Sequence, residues 1–479
     1  MKKILSVLLA LIFILSLVSC SSSLETNTGT AGDETKENTQ KQTGEITLPK
    51  GFSAGYARVS ITPSLPIKMG TSKTANVVLD DLYATCVAIS DGENVALFFH
   101  MDTKDMPEKI YSTCAGKIEK SLGVPRANIT MTATHTHTSP HTDNQDPSCL
   151  QWYKLIYTAV PQAAEEAMRD LTPTEVYTGT GTARDFVFVR RYLMADGSYK
   201  GIQTSNQNNS YVSHETEADP ELRTIHFKRD GAKDIVMANW QAHAAAAANV
   251  HSTSISSDFI HYLRKGVEEK MDVHFAYYNG ASGNIGGVNS KLGRDKFKDY
   301  VEMGTALVDV VKEAVAGETK AQTGTIRAET SRLACNVRQD SEERRAQAAE
   351  WADSASKDKD SILAKYGFSS QYEAIAVNTR AKMDPVTEVP LSVVTFGDVA
   401  LCTNPFELFD TTAQEIRAAS PYKMTFTCAY SNGALGYMPP DEIFPHGEYE
   451  VYVSRFEAGT AEACAEEIVR MLQECKASS

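Results

Sequence analysis

Val95-Ala96-Leu97-Phe98-Phe99-His100-Met101-Asp102 reads as a strand that is apolar on both faces, and such a strand belongs in a sheet covered on both sides. Pro107 to Leu122 then places Ile110, Cys114, Ile118 and Leu122 on one helical stripe, and Gly123 closes the helix. Asn128 to Thr134 returns to β-branched strand character. Strand, helix, strand at this spacing predicts an α/β fold, with a mixed β-sheet core flanked by helices. The second strand runs into His135-Thr136-His137. Side chains two apart on a strand share a face, so both imidazoles are expected to point the same way, at the C-terminal end where ligand sites gather. The pair suits one metal ion, or one ligand beside a proton-handling group. A surface or core role would also satisfy two histidines, so a metal site requires further ligands elsewhere in the chain.

The first twenty residues have a different purpose. Lys2 and Lys3 precede a short apolar run from Ile4 to Val18, the pattern of an export signal. It ends Leu17-Val18-Ser19-Cys20, which resembles a bacterial lipobox and predicts a lipid anchor on Cys20. Ser21 to about Lys50 is rich in Ser, Thr, Gly, Glu, Gln and Lys and is expected to be a flexible tether. Residues 51–479 are then expected to form a single large domain, exported and held at the cell membrane or outer surface. The net charge of −14 makes nucleic acid an unsuitable partner. The eight other cysteines are scattered without a Cys-x-x-Cys knuckle, which argues against a thiolate zinc site and leaves disulfide pairing open.

Along the domain, Gly55 to Pro63, Asp81 to Ile89, Val176 to Gly181, Glu221 to Phe227 and Asp234 to Trp240 read as strands, and Trp152 to Leu171 as a helix containing Pro161. Arg190 and Arg191 follow strand-like Phe186 to Val189; such a pair is either a solvated edge or a reach into a cleft. His243 stands just past the Asp234 to Trp240 strand in the run Ala242-His243-Ala244-Ala245-Ala246-Ala247-Ala248, whose small side chains leave room for a ligand. It is the candidate second ligand. Ser256-Ser257-Asp258 can cap a helix over Phe259 to Glu269. His274 to Tyr278 leads into the Gly-rich segment Asn279 to Gly287, which lacks the lysine of a nucleotide loop and is expected to form a wall of the cleft. Ser341 to Tyr366 is a charged helical excursion, expected to be solvated. Glu407 is expected just past the Val399 to Thr403 strand, at the start of a helix through Arg417, and Tyr437 in a glycine-bracketed loop.

These landmarks together resemble the catalytic domain of the neutral/alkaline ceramidases, in order: Gly55 to Pro63; Thr134-His135-Thr136-His137; Val189-Arg190-Arg191; His243 followed by Ser256-Ser257-Asp258; Pro405-Phe406-Glu407; Gly436-Tyr437-Met438-Pro439; and Tyr449-Glu450. The resemblance implies one zinc ion per chain held by His135, His243, Glu407 and Tyr437. It also implies that His137, Arg190 and Tyr449 steady the tetrahedral oxyanion or pass a proton to the departing amine. The expected activity is hydrolysis of the amide of ceramide, or a related N-acyl lipid, by hydroxide generated on the zinc.

Departures from the family pattern surround the metal. Thr138-Ser139-Pro140 follows His137 where Ser-Gly-Pro is usual, and His243-Ala244-Ala245 replaces His-Pro-Thr. Gly280 occupies the place expected for a serine proposed to matter in ceramidases, with Ser282 two residues on, so no serine nucleophile is assigned. The immunoglobulin-like domain of the larger family members is not expected here. Two rival readings stand beside the ceramidase one: a zinc amidase or esterase acting on another substrate, and a substrate-binding lipoprotein without catalysis. No protein partner is implied.

Overall fold

Alternation along two strands builds the molecule. In Val95–Met101, Leu97, Phe99 and Met101 enter one core while Ala96 and Phe98 enter another, and all five are fully buried. In Ile235–Trp240, Val236, Ala238 and Trp240 turn toward helices while Ile235 and Met237 join the core of Phe98. Each strand is therefore covered on both faces.

The computed structural model describes residues 46–70, 73–142, 144–201, 210–287 and 299–478, all within a unit spanning Ile46–Ser479. The export signal over residues 1–20, its Cys20, and the tether up to residue 45 lie outside the described residues. Ile46 and Leu48, expected in the tether, pack against the main core. No helix among the described residues is long and apolar enough to cross a membrane.

The fold is α/β with a mixed sheet. Eight of its nine strands run in the spatial order His274–Asn279, Ile235–Trp240, Glu221–Arg229, Thr172–Thr182, Ser53–Ser60, Tyr83–Ser90, Val95–Met101, Ile129–Ala133. The pairs at the two ends of this order are parallel and the pairs between them antiparallel. Helices Pro147–Arg169 and Phe259–Met271 contribute their buried stripes to the cores on the helical face. A second sheet of Ile326–Asn336, Val386–Phe396, Val399–Thr403 and Met424–Cys428 shares the core of Phe98, Phe227, Phe396 and Phe426, and helix Thr460–Ala477 packs on that sheet. The eight cysteines of the domain are buried thiols with no disulfide between them.

The large sheet folds back on itself. Tyr277 donates its backbone N–H to His100 Nδ1 at 2.8 Å, the Tyr278 hydroxyl donates to the Phe98 carbonyl at 2.9 Å, and Asn279 Nδ2 donates to the Thr134 carbonyl at 3.3 Å. The strand ends at Ala133, Trp240 and Asn279 thereby open onto one place. Cys428, at the end of the second sheet, joins them: Ala429 donates to the Asn279 carbonyl and Ala133 to the Tyr430 carbonyl.

A buried ion network pins this closure. Asp102 accepts from Arg264 Nη2 at 2.8 and 2.7 Å, from the Tyr83 N–H at 3.0 Å, and lies 2.9 Å from His100 Nε2. Burial pushes the Asp102 carboxyl up, but Arg264 and then His100 outweigh it and hold it down at about 2. A carboxyl depressed in the folded state contributes stability above its unfolded pKa of about 3.9 and loses it as pH falls through the folded value. The expected result is a loss of about 2 kcal/mol between about pH 4 and pH 2. Denaturant midpoints measured across that window check it: the advantage of the wild type over Asp102→Asn should shrink there and stay constant above pH 5.

Candidate metal centre

His135 is the first residue to leave the expected geometry. The strand stops at Ala133, and His135 takes φ +62°, a left-handed conformation rarely adopted by non-glycine residues. His135 and His137 therefore do not meet as neighbours on one face of a strand. They meet through this kink and the turn after it, with ring centroids 4.8 Å apart and planes at 84°. Tyr430, itself at φ +52°, stacks on His135 with centroids 4.0 Å apart. Left-handed residues clustered in this way are held by their surroundings.

His243 arrives from the other end of the sheet, in the irregular stretch after Trp240, with helix Ala246–Val250 formed from the alanine run. Its Nε2 lies 3.1 Å from His137 Nε2, which in turn lies 3.2 Å from His135 Nε2. One ligand atom from each ring falls within 4.8 Å of the others. The outer nitrogens of two rings are anchored: His135 Nδ1 at 2.8 Å from the Lys104 carbonyl, and His243 Nδ1 at 3.2 Å from the Ser282 carbonyl. A carbonyl can only accept, so both Nδ1 atoms carry the proton and both Nε2 lone pairs face inward. His137 has no such anchor among the described residues.

Glu407 and Tyr437 are corrected in their setting. Neither lies in a loop or at a helix start. Phe406–Leu408 and Gly436–Met438 form a parallel two-stranded ribbon whose register sets Glu407 directly beside Tyr437, and the following helix begins at Asp410. Glu407 Oε2 is buried, 3.3 Å from His135 Nε2, and accepts no hydrogen bond from the described residues. An acceptor oxygen facing a ring lone pair is an arrangement that a shared cation relieves, and the donor set of imidazoles and carboxylate fits a divalent ion such as zinc.

No family model and no curated protein sequence matches this chain. Solved structures do. Neutral ceramidase from Pseudomonas aeruginosa superposes with a TM-score of 0.67 at 17% identity, over 88% of this chain and 74% of that one. A ceramidase complexed with C2 gives 0.66 at 15% identity, over 90% and 76%. The chain has the neutral ceramidase fold.

Within that fold the remaining expected residues also reach the centre. Arg190 is buried and donates to Glu450 (Nε, 3.0 Å), the Gly283 carbonyl (Nη2, 2.7 Å) and the Tyr437 hydroxyl (Nη2, 2.9 Å). Tyr449 opens a short helix, Tyr449–Val453, with its ring 5.4 Å from that of Tyr437. Burial drives the His137 and His243 imidazoles well below their usual pKa, aided by His135 for the first and Arg190 for the second, so both are neutral at pH 7. Burial also pushes the Tyr437 and Tyr449 phenols up. The Tyr437 side chain also hydrogen-bonds the Glu407 carboxylate.

Several supporting residues escape a reading by sequence. Glu450 binds both Arg190 and Arg191, and the latter also pairs with Glu215 at 2.5 Å, so the two arginines are interior and not a solvated edge. Ser282 serves twice: its carbonyl receives His243 Nδ1, and its hydroxyl lies 2.8 Å from the Tyr430 hydroxyl. Gly283 passes so close to the ribbon that a Cβ there would collide with the Glu407 carbonyl, which is the physical need for glycine in this loop. The charged excursion is not merely solvated. It extends to Arg380 and buries Ala348, Trp351, Phe368, Ala374 and Val377, and its Tyr372 ring lies 5.8 Å from Tyr449.

Proposed function

We propose that this chain is a zinc-dependent hydrolase that cleaves the amide of ceramide or a related N-acyl lipid. The observation that carries the reading is the pair of carbonyl-anchored imidazoles aimed, with the unpartnered Glu407 Oε2, at one point in a neutral ceramidase fold. His135, His243, Glu407 and Tyr437 would hold the ion, which when bound supplies a water ionised near neutral pH and polarises a carbonyl.

The chain's own groups divide the remaining work. His137, neutral and unanchored at Nδ1, is free to accept a proton and hand it to the departing amine. The Tyr449 phenol, kept protonated by burial, is a donor for the oxyanion. Arg190 acts through Tyr437: fixed by Glu450 and the Gly283 carbonyl, its Nη2 orients the phenol that also bonds Glu407. An export signal, a lipid anchor on Cys20 and a tether would place this chemistry at a membrane, within reach of lipid.

The deciding experiment incubates the purified zinc-loaded protein with N-acylsphingosines and follows free sphingosine. Release supports the reading. Absence of release from all of them, alongside turnover of other N-acyl amides, would replace ceramide with another amide. A second outcome tests the loop: Gly283→Ala is expected to displace Glu407 and weaken zinc binding by about 10- to 100-fold without altering any ligand, the range seen for groups that support ligands. Competition with a chelator reads it, and unchanged affinity would remove the loop from the site.

A further inference from the structure

Beside the metal centre lies a cavity of about 250 Å³. His243 and Arg190 of that centre line it together with Ala245, Ala246, Phe259, Ile285 and Met303. Asn249, an exposed residue, also lines it and marks a polar rim. The one acid on its lining among the described residues, Asp258, is committed to the fold, accepting 2.7 Å hydrogen bonds from the backbone N–H groups of Ala247 and Phe259. Arg190 is likewise engaged with Glu450, Gly283 and Tyr437. The side chains left to meet an occupant are thus mainly carbon.

We propose that this cavity takes the acyl chain of the substrate and limits it to medium length. The proposal rests on the hydrolase reading, which requires one substituent of the scissile amide to enter beside His243. The amine side of a sphingoid carries hydroxyls near the amide, whereas among the described side chains lining the cavity the uncommitted polar one is Asn249, which is exposed; an acyl chain is hydrocarbon from the carbonyl outward and needs no such partner. At roughly 30 Å³ for each water-sized unit, the volume holds about eight methylenes. The alanine run makes the space. A larger residue at 245 or 246 would project into it, and Met303, packed within van der Waals reach of Gly287, closes one wall.

The test is calorimetric titration of the zinc-loaded protein with straight-chain carboxylates of four to sixteen carbons, which mimic the acyl product. Affinity is expected to rise by about fourfold per methylene, the transfer value, and then to stop rising near eight carbons. Ala245→Leu should move that break about three carbons shorter. Met303→Ala, checked first for a cooperative thermal transition, should move it longer. An unbroken rise to sixteen carbons, no binding at all, or the same break in Ala245→Leu would overturn the proposal. The two readings fail separately. A break near eight carbons without turnover of any N-acyl amide leaves the cavity and removes the hydrolase, while turnover of N-acylsphingosines with no break does the reverse.

Discussion

Replacing His135 by asparagine is expected to yield a folded protein that no longer retains zinc and whose hydrolysis falls by about a thousandfold or more, ~4 kcal/mol of transition-state stabilisation. Asparagine is the informative substitution because residue 135 sits at φ +62°, which asparagine tolerates better than alanine does. The change removes the Nε2 donor that faces Glu407 Oε2 and leaves the left-handed turn available. His137→Gln is expected to behave differently. Its ring lacks a carbonyl anchor, so zinc should stay bound while hydrolysis falls by about 10²- to 10⁴-fold, the range for loss of an acid–base group. Metal content per chain, measured beside the rate, separates the two. Zinc retained at full stoichiometry in His135→Asn would refute the ligand assignment, and zinc lost from His137→Gln would place that ring among the ligands.

How much of this was legible without coordinates depends on the range of the interaction. Helix Glu108–Leu122 and the strands around it were readable because their periodicity is local, as was the Asp258 cap, whose side chain accepts from the Phe259 N–H. Phe406–Leu408 and Gly436–Met438 were not readable as strands, since three residues carry no period and the pairing spans a long stretch of intervening chain. The residues of the centre could be named from their order along the chain, but not the way they meet. That depends on a sheet folded until its two ends touch, a property of twist and of long-range bonds such as Tyr277 to His100. The Lys104 carbonyl that sets the His135 tautomer is a backbone atom, and backbone atoms leave no residue-type signal at all.

The buried charges behind the centre show the same dependence on context, and they carry the second large effect. Glu450→Ala is expected to destabilise the protein by about 3–5 kcal/mol, the range for removing one partner of a buried ion pair. The Glu450 carboxylate is fully buried and bridges Arg190 Nε at 3.0 Å and Arg191 Nη1 at 3.1 Å. Arg191 would keep Glu215, whereas Arg190 would be left, among the described residues, with the Gly283 carbonyl and the Tyr437 hydroxyl as acceptors. Urea unfolding reads the loss as a lower midpoint at an unchanged slope. A loss below about 1 kcal/mol would mean that the arginines are solvated on their own, contrary to their burial. Glu450→Gln keeps the shape and one acceptor but removes the charge, so it should fall between wild type and alanine. Buried ion pairs rarely add stability over well-packed apolar groups of the same volume, so stability alone does not account for this one. Its geometric consequence does: with Glu450 in place, the Arg190 guanidinium is fixed at an angle that brings Nη2 to the Tyr437 hydroxyl. Zinc affinity should therefore fall in Glu450→Gln even where most of the fold's stability survives.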